Sequence, residues 1–209
     1  MSRFNKFVKM IQIKMRQAYE EGWFFDPDTY RSCKRILYNE ALHYGVKRSG
    51  FSSILKPIST SDTRWREEND IEDDHFNPPE FMSLFVFAHP ERYLRDTKES
   101  LENMSRIFES VVCTHEVTGE QNQLLKKSSG LVDKGIITKV ATSPTHLKYP
   151  NAGIECLYDK KGGKEISIED ACYIPQELTE WETKFWSGEF KFPMNQRFGQ
   201  LDSFFEDAA

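Results

Sequence analysis

Phe81-Met-Ser-Leu-Phe-Val-Phe-Ala-His89 is the richest apolar stretch of the chain, and its reading decides the fold. It has the length of a buried strand, and a strand is expected there. Pro90 then opens a long helix to about Val112, with Leu94, Leu101, Met104, Phe108, Val111 and Val112 on one face. A short helix is expected over Glu120 to Lys127 and a strand over Ile136 to Ala141. Two alternating segments, Gly153 to Tyr158 and Glu165 to Ile168, flank Lys160-Lys161-Gly162-Gly163, a strong hairpin turn. Pro175 starts a last helix that aligns Leu178, Trp181 and Phe185 and stops at Gly188. Phe190, Phe192, Phe198, Phe204 and Phe205 follow as an aromatic tail.

On the amino-terminal side, Phe4, Phe7, Val8, Ile11, Met15, Ala18 and Tyr19 recur at helical spacing, with Lys6, Lys9 and Arg16 opposite. A second helix has Asp26 as its cap, Pro27 at its first position and Gly45 as its stop. Tyr30, Cys33, Leu37, Ala41 and Tyr44 form its apolar stripe, so the two helices make a hairpin. Ser59, Ser61, Asp62 and the acidic tract Glu67 to Asp74, ending at Asn77-Pro78-Pro79, break regularity. The expected class is α+β. A basic helical unit at 1–57 and an acidic linker at 58–80 precede an α+β domain at 81–209, with a mixed or antiparallel sheet and packed helices.

Composition narrows the class further. The chain of 209 residues is long enough for a sizeable core, and its 16 Phe, 8 Tyr and 4 Trp supply much of the burial capacity. Cys33, Cys113, Cys156 and Cys172 form no C-x-x-C pair, which fits reduced thiols rather than a disulfide framework or a structural zinc site. No apolar run approaches the roughly 20 residues of a membrane span, and no membrane association is expected. A cytoplasmic or nuclear location fits. The acid-free segment before Glu20 also has the look of an organellar targeting helix, which keeps mitochondrial import open.

Charge is unevenly spread. Residues 1–57 hold 11 Lys+Arg against 5 Asp+Glu, and residues 58–209 hold 17 against 28. A basic helical head on an acidic body suits an anionic partner. Arg31, Lys34, Arg35, Lys47 and Arg48 are the expected phosphate contacts, with Tyr38 and Tyr44, beside His43, as stacking rings. The register of residues 24–50 resembles that of the R3H family of single-stranded nucleic-acid-binding domains. Lys34 stands where that family has its Arg, and Tyr38, four residues on, where it has its His. Ala41, Gly45-Val46 and Ser49 match the Ala, Gly-Leu and Ser that follow, the last spacing being one residue short. The resemblance implies a binding module for RNA or another polyanion rather than an enzyme.

Glu177-Leu-Thr-Glu-Trp-Glu182-Thr-Lys184 resembles the carboxylate motif of Schlafen-type metal-dependent ribonucleases, with Asp202 or Asp207 as the remaining acid. That resemblance implies a divalent cation on Glu177 and Glu182, assisted by Lys184. On a helix, residues five apart point about 140° apart, so the two acids converge only off a helix. His43, His75, His89, His115 and His146 show no metal-ligand spacing, and no metal or cofactor is expected. Cys113-Thr-His115 sets a thiol and an imidazole on one face of a strand, where a buried thiol near a surface histidine is the plainer reading. Lys161-Gly-Gly-Lys164 is a turn and not a phosphate loop. Trp181, Phe185 and Trp186 either complete a core or anchor a protein partner.

These features favour a non-enzymatic subunit or adaptor of a larger RNA-containing assembly. The rivals are the metal-dependent ribonuclease and a purely protein-binding adaptor.

Overall fold

The computed structural model describes residues 2–57, 60–128 and 145–187; the strand expected at 136–141 and the aromatic tail lie outside them. Helix α1 (Arg3–Glu20) starts at Ser2, whose Oγ accepts the Asn5 N–H at 3.1 Å, and buries Val8, Ile11, Met15 and Ala18. The expected second helix is two, α2 (Pro27–Lys34) and α3 (Ile36–Tyr44), parted at Arg35 (φ −95°, ψ 4°). Asp26 caps α2 through the Asp28 N–H, and Gly45, at φ 99°, turns the chain out of α3.

The Phe81 to His89 stretch is not a strand. Pro79–Ala88 forms helix α5, and every residue from Phe81 to Ala88 is buried. An apolar run this short carries no period that separates strand from helix. Pro78 and Pro79 supply the helical start, since proline at the first turn presets φ and forfeits only an orphan N–H. From Phe81 onward the helix is apolar on every side, Ser83 apart, because it is enclosed on every side. Ser83 is its one polar interior side chain. Its Oγ donates to the Pro79 carbonyl at 3.1 Å and accepts the Leu37 N–H at 3.3 Å, an amide in the first turn of α3 that lacks a helical partner.

The expected helix over 90–112 is also two, α6 (Pro90–Tyr93) and α7 (Lys98–Val112). Thr97 restarts the helix, its Oγ1 accepting the Ser100 N–H. Buried Gln12 fastens α1 to the end of α6, its Nε2 donating to the carbonyls of Tyr93 at 2.8 Å and Arg95 at 3.2 Å.

Behind the helices stands a mixed five-stranded sheet in the order β2-β3-β1-β4-β5. The strands are β1 (Lys47–Ser52), β2 (Ile71–Asp74), β3 (Cys113–Thr118), β4 (Cys156–Asp159) and β5 (Glu165–Ser167). β1 and β3 run parallel with Lys47 opposite Cys113; the other pairs are antiparallel. β4 and β5 form the hairpin expected around Gly162-Gly163, with Gly163 at φ 65°. Helices α4 (Asp62–Glu68), α8 (Gly119–Ser128), α9 (Thr145–Asn151), α10 (Ile168–Ala171) and α11 (Gln176–Ser187) complete the description.

The expected unit boundaries cut through this architecture. β1 belongs to 1–57 and is the middle strand, while α4 and β2 lie inside the expected linker. One helical core joins Val8, Ile11, Leu37, Phe85, Phe108 and Trp181, and a second, under the sheet, joins Phe76, Val117, Tyr149 and Leu157. Among the described residues no helix is long and apolar enough to cross a membrane.

Candidate functional site

The five expected phosphate contacts do not form one surface. Lys34 and Arg35 both reach Glu80, each at 3.1 Å, and Arg48 pairs with Asp73 at 3.0 Å. Arg35 also lies over the Tyr38 ring at 4.9 Å, covering the face assigned to a base. Acids from the α4–α5 region thus neutralise three of the five cations. Arg31 and Lys47 have no carboxylate partner among the described residues.

Lys47 does join a basic cleft. Arg3, Lys6, Phe7 and Met10 of α1 meet His43 and Tyr44 at the end of α3 and Lys47 at the start of β1, around a cavity of about 540 Å³. Spacing of three and four residues puts the α1 members on one face. The Gly45 turn folds Lys47 back, 5.0 Å from the Tyr44 ring centroid and 5.8 Å from that of Phe4. Among the described residues no carboxylate pairs with Arg3, Lys6 or Lys47. The amino-terminal dipole end of α1 adds to the positive field.

The aromatic floor is layered. Tyr44 packs inward against Phe4, Phe7 and Phe108, with centroids 5.2 to 5.7 Å away, so it is not free to stack on a base as expected. His43 is exposed and lies parallel on Phe7, at 6.1 Å and 16°. Lys6 was legible only as part of the polar side of an amphipathic helix and Arg3 was not singled out; their spacing with Phe7 and Met10 was the available signal.

The remaining expected sites come apart. Glu177 and Glu182 both sit on helix α11, which rules out their convergence. Glu177 pairs with Arg92, Glu182 is buried, and Lys184 is exposed. Among the described residues no group of three or more His, Cys, Asp or Glu could hold a metal ion. Trp181 is a core residue, 4% exposed, against Phe81 and Phe85 at 5.1 and 5.5 Å, and not a surface anchor. The side chains of Phe185 and Trp186, like Asp202 and Asp207, lie outside the described residues.

A second cavity, of about 420 Å³, opens between α7, β3 and the segment after α10, lined in part by Phe76, Asn77, Cys113, His115, Cys172 and Tyr173. Cys113 and His115 do share it, yet the thiol bonded to His115 is Cys172, with Sγ 3.4 Å from Nε2. The histidine is buried rather than on the surface. Its Nδ1 lies 2.8 Å from Ser49 Oγ of β1. Burial pushes the His115 imidazole down to about 4 and pushes the Cys172 thiol well up. A pair separated by the whole of α8 and α9 has no local sequence signal.

Comparison with family models, with curated proteins and with solved structures finds no match.

Proposed function

We propose that the chain is a subunit of a larger RNA-containing assembly and holds a single-stranded segment in the cleft between α1, α3 and β1. One observation carries this reading: cations with no acidic partner among the described residues gather there around an exposed imidazole stacked on Phe7. Arg3, Lys6 and Lys47 contact phosphates, and His43 offers a face to one base. Backbone contact plus stacking is how single strands are held without sequence preference. The R3H resemblance implies the same class, although Lys34 and Tyr38, which carry it, meet Glu80 and Arg35 and do not line the cleft.

Binding of the full chain to labelled single-stranded RNA across a salt series tests it. Affinity falls as salt rises, and Lys6→Gln and Lys47→Gln each weaken binding and flatten the log–log salt slope by roughly 0.7. Arg35→Gln, whose charge already meets Glu80, leaves binding unchanged. Binding insensitive to salt, or an Arg35→Gln loss equal to that of Lys6→Gln, overturns the proposal. An acidic protein partner retained after nuclease treatment, without affinity for RNA, replaces it with the protein-binding adaptor.

A further inference from the structure

The cavity beside β3 holds the parts of a nucleophilic centre. Cys172 supplies a thiol, and His115 Nε2, 3.4 Å from Sγ, can take its proton. Ser49 Oγ meets the other imidazole nitrogen at 2.8 Å and is itself anchored by the Phe51 N–H at 3.1 Å. Nucleophile, base and orienting group are thus in series, drawn from the segment after α10, from β3 and from β1.

The cavity is also built for an occupant. Its volume of about 420 Å³ suits a small molecule. Phe76, Ala171 and Tyr173 give it apolar walls, and Arg106, Glu109 and Ser110 of α7 line it as well. Asn77 lines it while only 1% exposed. Its Nδ2 donates to the Tyr173 carbonyl at 2.8 Å, and its Oδ1 has no partner among the described residues. A buried acceptor left unpaired is costly, and a ligand N–H or O–H would satisfy it.

We infer that Cys172 and His115 form a thiol–imidazole pair for acyl transfer from a small, largely apolar thioester or activated ester bearing an N–H or O–H donor. The Cys172 Sγ–H bond breaks as Sγ bonds to the acyl carbon, and the proton passes to His115 Nε2. The tetrahedral adduct then collapses by breaking the bond to the leaving sulfur or oxygen, which takes the proton back from Nε2. A thioester and the Cys172 thiol become the Cys172 thioester and a free thiol. Burial keeps both partners neutral, so proton transfer accompanies attack. Such a weak base suits a good leaving group, which an activated ester or thioester has and an amide lacks. Ser49 acts through His115 and is a positioning residue.

The test treats the folded full-length chain with S-acetyl-N-acetylcysteamine and follows acetylation of each cysteine by peptide mass. Cys172 acetylates at least tenfold faster than half-buried Cys113 or Cys156. His115→Asn lowers the Cys172 rate at least tenfold while leaving the other thiols unchanged. Ser49→Ala slows Cys172 without changing the melting temperature, and Ser49→Thr restores the rate. Equal acetylation of the cysteines in the unsubstituted chain overturns the inference and needs no variant to fold. A Cys172 rate unaffected by His115→Asn in a folded protein overturns it as well.

Discussion

His115 concentrates the chemistry of the sheet in one side chain. It is 4% exposed, edge-on to Tyr149 at 6.0 Å and 78°, and its Nε2 meets a thiol rather than a carboxylate. Burial is the main force holding it neutral; Asp74 pulls the other way, and Lys148 and Lys160 reinforce the burial. Lys148 itself is tied to Asp74 at 2.7 Å, which blunts the carboxylate's influence. Unfolding releases an imidazole with an ordinary value near 6.5, so between about pH 6.5 and pH 4 the unfolded chain binds the extra proton. Stability from this group is therefore complete above about pH 6.5 and is lost as pH falls toward 4, by on the order of 3 kcal/mol. Burial lowers His75 and His89 in the same direction and steepens the decline. Urea midpoints at pH 7 and pH 4.5 check this. The drop between them shrinks in His115→Asn, and an equal drop in both proteins would show that the histidine titrates freely in the folded chain.

Element by element, what is local was legible and what is paired at a distance was not. Asp26, Pro27 and Gly45 act within a turn of themselves, and each does what its residue type dictates. The Gly162-Gly163 hairpin is equally local. Phe81 to Ala88 was misread because a helix enclosed on every side has no polar face to give it a period. β1 went unseen for the opposite reason. Lys47-Arg-Ser-Gly-Phe-Ser52 is mostly polar, contains a glycine and has no clean alternation, and its strand character comes from pairing with β3 and β4. The α2–α3 break likewise depends on a distant partner, since Ser83 takes the Leu37 amide. Ser83→Ala strands that amide in a buried site and costs about 1–3 kcal/mol, read by urea denaturation. Hydrogen exchange at Leu37 accelerates by more than that of its neighbours in α3. A neutral Ser83→Ala variant would mean that the start of α3 is held by packing alone.

Across the whole molecule, composition revealed a basic head and an acidic body, but not that the body's acids spend the head's charges. Glu80 takes Lys34 and Arg35, and Asp73 takes Arg48 and shares Arg66, contacts that only the tertiary fold creates. The same fold gathers Arg3, Lys6 and Lys47, which have no carboxylate partner among the described residues, at one cleft and brings Cys172 to His115. It also bears on whether the head is a separable unit. β1 lies in the middle of the sheet, with β3 and β2 on one side and β4 and β5 on the other. Removing residues 1–57 therefore splits the sheet and strips Val8, Ile11, Met15 and Ala18 from the face of α7 and the α5 core. Buried Gln12 would leave the Tyr93 and Arg95 carbonyls unpaired as well. Two independent domains would unfold in two transitions and survive cutting, whereas a shared core unfolds once. The full chain is thus expected to show a single thermal transition with matching calorimetric and van't Hoff enthalpies. A fragment of residues 58–209 should show no cooperative transition and should bind a hydrophobic dye. A fragment that melts sharply on its own would mean that the sheet closes without its central strand, and that the contacts of α1 and β1 add little to the rest.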